Sequence, residues 1–229
     1  ACPRFISRHL YNFFVADEPQ VPSWNIEEPR NPEAIRLMSE VFVESGYEIK
    51  PVLRTMLNSD FFKESMYQKV RSPVEVVVNT LRLTQDLTGP DPRFEATAKH
   101  PAYMGQDFLD PPSVEGWHTG KEWINSGSLV KRVNFVAERV SNVELPGVQS
   151  MVRRVASGEK AMTAEALVDR CLDLMGPLEV AEQTRAELVS HLEGDGPISL
   201  STEEEYAGFS QRVGDTLALI AATREYQFG

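Results

Sequence analysis

Residues 72 to 82 read SPVEVVVNTLR, and whether this stretch is a strand or a helix decides the fold class. The triplet Val76-Val77-Val78 taken alone favours a strand, because β-branched side chains sit well on a pleated surface. Ser72 and Glu75, however, have the spacing of a capping box: the serine hydroxyl accepts from the third helical amide while the glutamate reaches back to the cap amide. Pro73 falls in the first turn, where its missing N–H costs nothing, and the apolar pattern continues to Leu81. The spacing therefore predicts a helix.

The same signals recur on both sides. Upstream, Asn31-Pro32 is an N-cap followed by proline at the first helical position, and Ala34, Ile35, Met38, Val41 and Phe42 keep the helical period until Gly46. A helix over about residues 50 to 58, with Val52, Leu53, Met56 and Leu57 on one face, completes a hairpin around SGYEIK. RFISRHLYNFFV at 4 to 15 places Ile6, Leu10, Phe13 and Phe14 on an apolar face and Arg4, Arg8 and Asn12 opposite. Residues 16 to 31, with three prolines and Trp24, read as an irregular connector.

Downstream, Leu129, Val133, Val136, Ala137 and Val140 mark another helical face. Further helices are expected near 147 to 156, 163 to 175, 179 to 192 and 202 to 224, the last opened by Thr202 and Glu205 as a second capping box. With no alternating strand, the expected fold is all-α: an irregular orthogonal helical array over residues 1 to 145 and a smaller helical subdomain over 146 to 229. One long ordered loop, 104 to 128, interrupts the array. It carries Trp117, Trp123, Pro111-Pro112 and glycines at 105, 116, 120 and 127, and loops of such length inside compact domains are usually functional or disordered.

Composition narrows the function. A net charge of −11 repels a phosphate backbone, and the basic residues are scattered, so nucleic acid is not expected as a partner. No apolar run is long enough to span a membrane. The two cysteines, Cys2 and Cys171, are compatible with one disulfide or two thiols. The four histidines are far apart, none with another three or four residues away, so no metal site is indicated, and no phosphate-loop, dinucleotide or nucleophile-elbow motif implies a cofactor.

Five ordered blocks carry a resemblance: RFISRHLYNFFV at 4 to 15, SGYEIKPVLRTMLNSDFF at 45 to 62, KVRSPVEVVVNTLR at 69 to 82, MGQDFLDPPSVEGWHTGKEWINSGSLVKRVNF at 104 to 135 and ATREYQFG at 222 to 229. Together they resemble the carboxy-terminal half of the bacterial domain-of-unknown-function family 1800. An abrupt start at Ala1-Cys2-Pro3 in an amphipathic helix fits a fragment whose amino-terminal half is missing and would be a partner. The resemblance implies an exported bacterial protein, often encoded beside sulfatase-like companions, and brings no catalytic residues with it. The hairpin is also similar to part of planctomycete proteins described as cytochrome-like, but without a CxxCH motif haem is not implied.

The loop supplies the candidate site residues. Trp117 and Trp123 flank His118 and Glu122 and can form an aromatic platform that stacks on a sugar ring or a partner side chain, or can instead plug the loop onto the core. Asp107, Asp110, Glu115 and Glu122 lie within sixteen residues. Two carboxylates held across a sugar bond are what glycoside hydrolysis requires, although acidic loop residues also serve as solvated caps. His118 can act with those acids as a base or be a hydrogen-bonded structural residue. The expected function is a binding or scaffolding module engaging a partner protein or extracellular polymer through this loop. The alternative is part of a hydrolase acting on extracellular polysaccharide, its site completed by the missing half.

Overall fold

The 72 to 82 stretch is helical, as Pro73–Thr84, in a computed structural model that describes residues 1–117, 119–176, 178–194 and 196–228. Among the described residues the strands are two residues each, Ala161–Met162 and Ile198–Ser199, paired antiparallel with Ala161 opposite Ser199. The fold is all-α. The two short strands escaped the sequence reading because two residues cannot display an alternating period. The chain forms two compact units, one from Ala1–Ser72 and Asp110–Asn125 with Phe228, the other from Pro73–Leu109 and Ser126–Gln227.

The first unit contains α1 (Cys2–Phe14), α2 (Pro32–Glu44), α3 (Ile49–Asn58) and the single turn α4 (Asp60–Lys63). The cap of α2 is as expected: the Ala34 amide donates to Asn31 Oδ1 at 3.0 Å. Between α2 and α3 the chain turns through Gly46 and Tyr47, both at positive φ, +72° and +70°. A tyrosine there is strained by about 1 kcal/mol or more, which its ring offsets by packing edge-on to Phe42, 5.3 Å away. Tyr11, Val15, Ala34, Ile35, Met38, Phe42, Val52 and Met56 close the core.

The orientation of α1 differs from the helical-wheel expectation. Its buried residues are Ser7, Arg8 and Tyr11; Ile6 and Leu10 flank the core half-buried, and Phe13 and Phe14 are exposed at 68% and 41%. Small Ser7 meets α2, where Ser39 Oγ lies 3.3 Å from its hydroxyl, while Arg8 carries its charge inward to a partner. A hydrophobicity period cannot foresee a buried ion pair, so it put Arg8 on the solvent side.

The second unit contains α5 (Pro73–Thr84), the short α6 (Arg93–Ala98) and α7 (His100–Tyr103), then α8 (Ser126–Val140), α9 (Pro146–Ala156), α10 (Ala164–Leu174), α11 (Glu182–Gly194) and α12 (Glu203–Ala222). At the start of α5 the Val74 amide donates to Gln106 Oε1 at 3.0 Å. α12 is the axis of this unit. It opens with the Thr202–Glu205 capping box, buries Phe209, Val213, Leu217 and Ile220, and packs against α8, α9, α10 and α11. Two glycines let backbones meet: a Cβ on Gly147 would lie 2.3 Å from the Leu83 carbonyl oxygen, and one on Gly214 would lie 3.1 Å from the Ser141 backbone. Neither cysteine is in a disulfide; Cys2 is exposed, and burial raises the Cys171 thiol to about 12.

Each unit has a residue whose change tests its packing. Met38→Ala removes a fully buried side chain from the first core and should cost about 2–5 kcal/mol. Gly147→Ala forces α9 away from the end of α5 and should cost about 1–3 kcal/mol, the usual range for overpacking. Urea unfolding of both variants measures these losses; a neutral Gly147→Ala would contradict the close approach.

Candidate functional site

The part of the long loop that belongs to the first unit, residues 110 to 125, is tied down at one end and open at the other. At the tied end, a 3₁₀ turn spans Gly120–Trp123, and the Trp123 indole is buried at 5% exposure. Gly120 has φ +64°, and a Cβ there would stand 3.1 Å from both Cβ and Cγ of Asp17. Only glycine satisfies both the left-handed backbone and the carboxylate packed against it. Gln20 Nε2 donates to Thr119 Oγ1 at 3.3 Å and to its carbonyl at 3.4 Å.

At the open end, residues 111 to 115 are all exposed, Val114 completely so. A local turn shapes them: the Glu115 amide donates to Ser113 Oγ at 3.2 Å and the Gly116 amide to the Ser113 carbonyl at 3.1 Å. Trp117, between the two ends, is half-buried. The two tryptophans thus differ in burial, Trp123 inside and Trp117 part-way to solvent. Glu115, Glu122 and Asp110 are exposed in this unit, and Asp107 is exposed in the second unit. His118 lies outside the described residues. Among the described residues no group of three or more metal-ligating side chains gathers.

Beneath the loop is a buried ionic cluster that sequence reasoning missed. Arg8 Nε donates to Glu18 Oε2 at 2.7 Å, with side-chain exposures of 2% and 0%. Arg8 Nη1 donates to the carbonyls of Glu27, at 2.9 Å, and Trp24, at 3.4 Å, and its guanidinium lies 4.8 Å from the centre of the Trp24 ring. Glu18 Oε1 accepts the Arg30 amide at 2.9 Å, and the Glu18 amide donates to Asn12 Oδ1 at 2.8 Å. Trp24 Nε1 donates to the Pro19 carbonyl at 2.7 Å, and Asp17 Oδ2 accepts the Val70 amide at 2.8 Å. The segment 17 to 20 is therefore held rigidly on one side by Arg8 and grips the loop on the other through Asp17 and Gln20. The only sequence signal was the adjacent Asp17-Glu18 immediately after an apolar helix, which is indistinguishable from an ordinary solvated acidic pair.

The cluster shapes the protonation of its neighbours. Burial, followed by the Glu18 charge, pushes the Tyr11 hydroxyl upward, with Arg30 opposing. Burial lowers His9, whose ring packs 4.4 Å from Phe5 and 4.6 Å from Trp24. In the second unit burial also lowers His100, helped by the Arg139 charge.

Two measurements follow from this geometry. Glu18→Gln leaves Arg8 buried without a counter-charge and should cost about 3–5 kcal/mol; tryptophan fluorescence should shift red as the 17 to 20 segment loosens. For His9, the folded protein favours the neutral ring below the ordinary value of 6.5, so the unfolded chain binds more protons in acid. Its contribution is fully present above that value and is lost as pH falls through the lower folded value. Thermal melts between about pH 7.5 and about pH 5.5 avoid the carboxylate range, and His9→Phe should flatten the dependence while leaving the part due to His100.

The family model described as Protein of unknown function (DUF1800) matches residues 1–228. No curated protein and no solved structure matches the chain. The chain belongs to the DUF1800 family.

Proposed function

We propose that this DUF1800 protein is a binding module of an exported bacterial protein, and that the 110 to 125 loop of its first unit is the surface that engages an extracellular polymer or a partner protein. The observation that carries this reading is the asymmetry of the loop. Its base is fixed by buried Trp123, by Gly120 against Asp17 and by the Gln20–Thr119 hydrogen bonds. Its apex displays Pro111, Pro112 and Val114 to solvent, with Trp117 half-buried beside them. A loop that served only to cover the core would turn its apolar residues inward. Fixing the base lowers the entropic cost of presenting the apex, which is the advantage of pre-organised binding loops. A half-buried aromatic ring with exposed carboxylates close to it in sequence, here Trp117 with Glu115 and Asp110, suits stacking on a sugar ring or a partner side chain.

The test separates the two tryptophans. Trp123→Ala should cost about 3–5 kcal/mol, as large-to-small core changes do. Trp117→Ala should shift the melting temperature by only a few degrees, the effect of roughly 1 kcal/mol or less in a domain of this size, while abolishing retention on bacterial envelope material. Protease-stripped envelope distinguishes a polymer, which still retains the protein, from a protein partner, which is lost. Unchanged retention of Trp117→Ala, or its unfolding together with Trp123→Ala, would overturn the binding role.

A further inference from the structure

A separate feature of the first unit is an open groove of about 590 Å³ along α2. Pro32, Ile35, Ser39 and Val43 face it at successive turns, with Arg36, Glu40 and Glu44 one position on. Pro3 and Arg4 of α1 and Glu28-Pro29 of the connector form the other wall. At 1.5 Å per residue, the stripe from Pro32 to Glu44 is about 18 Å long, the length of three to four helical turns.

The floor and the rim differ in chemistry. Pro29 and Ile35 are buried, Pro32 is exposed, and Val43 keeps 48% of its surface open. On the rim, Arg4 pairs with Glu28 at 2.5 Å, and Arg36 pairs with Glu33 and Glu40, all through exposed side chains. Such surface pairs are worth little and exchange readily for a ligand's charges. Glu44, at the end of the stripe, is exposed, and no ion pair satisfies it among the described residues. Across residues 27 to 48 there are six glutamates, at 27, 28, 33, 40, 44 and 48, against Arg30 and Arg36 in the same stretch and Arg4 on the opposite wall.

We propose that this groove docks a cationic amphipathic helix of a partner protein, its apolar face on Pro3, Pro32 and Val43 and its lysines or arginines on Glu40 and Glu44. The dimensions match the helix-in-groove mode, in which side chains at i, i+3/i+4 and i+7 anchor the ligand. Prolines at 3, 29 and 32 make walls with few backbone freedoms to lose on binding. A second copy of this chain is the wrong partner electrostatically, because a net charge of −11 on each molecule opposes self-association. The groove does not involve Trp117, so the proposal stands apart from the loop reading.

The probe is a fluorescein-labelled synthetic peptide of about 14 residues, long enough for the stripe, made of leucine and lysine with one apolar face. Comparison peptides are a scrambled sequence of the same composition and a leucine–glutamate version. Anisotropy titration should show the amphipathic cationic peptide binding at least about tenfold more tightly than the scrambled one, the discrimination expected of a groove that reads a helix face, with no binding of the acidic peptide. Val43→Asp and Glu44→Lys alter exposed positions and should keep parental helicity and melting temperature, yet weaken binding about tenfold or more, as loss of an interface anchor does. Trp117→Ala and the double variant Glu203→Lys/Glu204→Lys, at exposed positions of the second unit, should bind as the parent does. Equal binding of the scrambled peptide, unchanged affinity of both groove variants, or an equal loss in the Glu203→Lys/Glu204→Lys control would overturn the proposal, reducing the effect to non-specific charge attraction. A concentration-dependent dimer in sedimentation, abolished by Val43→Asp and untouched by the peptide, would overturn it in favour of a second copy.

Discussion

The buried Arg8–Glu18 ion pair is the constraint on which the first unit depends. Taking both charges out of water costs several kcal/mol per ion, and only short, well-directed contacts repay that. The structure supplies them at both ends: Glu18 divides its oxygens between the Arg8 guanidinium and the Arg30 amide, and Arg8 also reaches the Trp24 and Glu27 carbonyls. A hydrophobic pair of similar volume could stabilise the unit as well or better, but it would not select one path for the connector between α1 and α2. The charged pair selects that path, because every alternative leaves a buried charge without its partner.

The path of the connector then decides what the loop can do. Once Glu18 is pinned, Asp17 must face Val70 and Gly120, and Gln20 must face Thr119. A surface loop is thereby given a rigid base without secondary structure of its own, and its apex keeps apolar and acidic side chains in solvent. The α2 groove has the same parent, since one of its walls is Glu28-Pro29, held in place by the Arg8 bonds to residues 24 and 27. Both surfaces are acidic overall, in keeping with the charge of the whole chain.

The second unit is organised by shape more than by charge. α12 carries small or medium residues where neighbours come close, with Gly214 at the Ser141 backbone and Val213 and Leu217 fully buried. Its buried charges include Asp86, which receives Arg93 at 3.1 Å and Arg139 at 3.5 Å beside the Arg139 guanidinium stacked 3.7 Å from the centre of the Phe135 ring, and Arg132, whose Nε donates to Gln227 Oε1 at 3.0 Å. Arg139 is pulled below the ordinary arginine range by burial, with Asp86 pulling the other way, so the stacking and the shared carboxylate keep its charge tolerable in place.

Local chemistry made most of the helices legible in the sequence. Caps, first-turn prolines and apolar periods act over four to seven residues, so Asn31-Pro32, Ser72-Pro73 and Thr202–Glu205 announced α2, α5 and α12, and the helical period outweighed the Val76-Val77-Val78 run. The difference in burial between Trp123 and Trp117 could be anticipated from their places in the loop, one beside the next helix and the other amid glycines. Three things belonged to the tertiary structure alone. The inward turn of Arg8 required a carboxylate ten residues away to come back to it. The close contacts at Gly120 and Gly147 required backbones or side chains far apart in sequence to meet. The α2 groove required walls from α1 and the connector. Each depends on long-range contacts that a local period cannot encode, because the free energy of a buried charge or a backbone contact is set by which partner arrives, and not by the residue that waits for it.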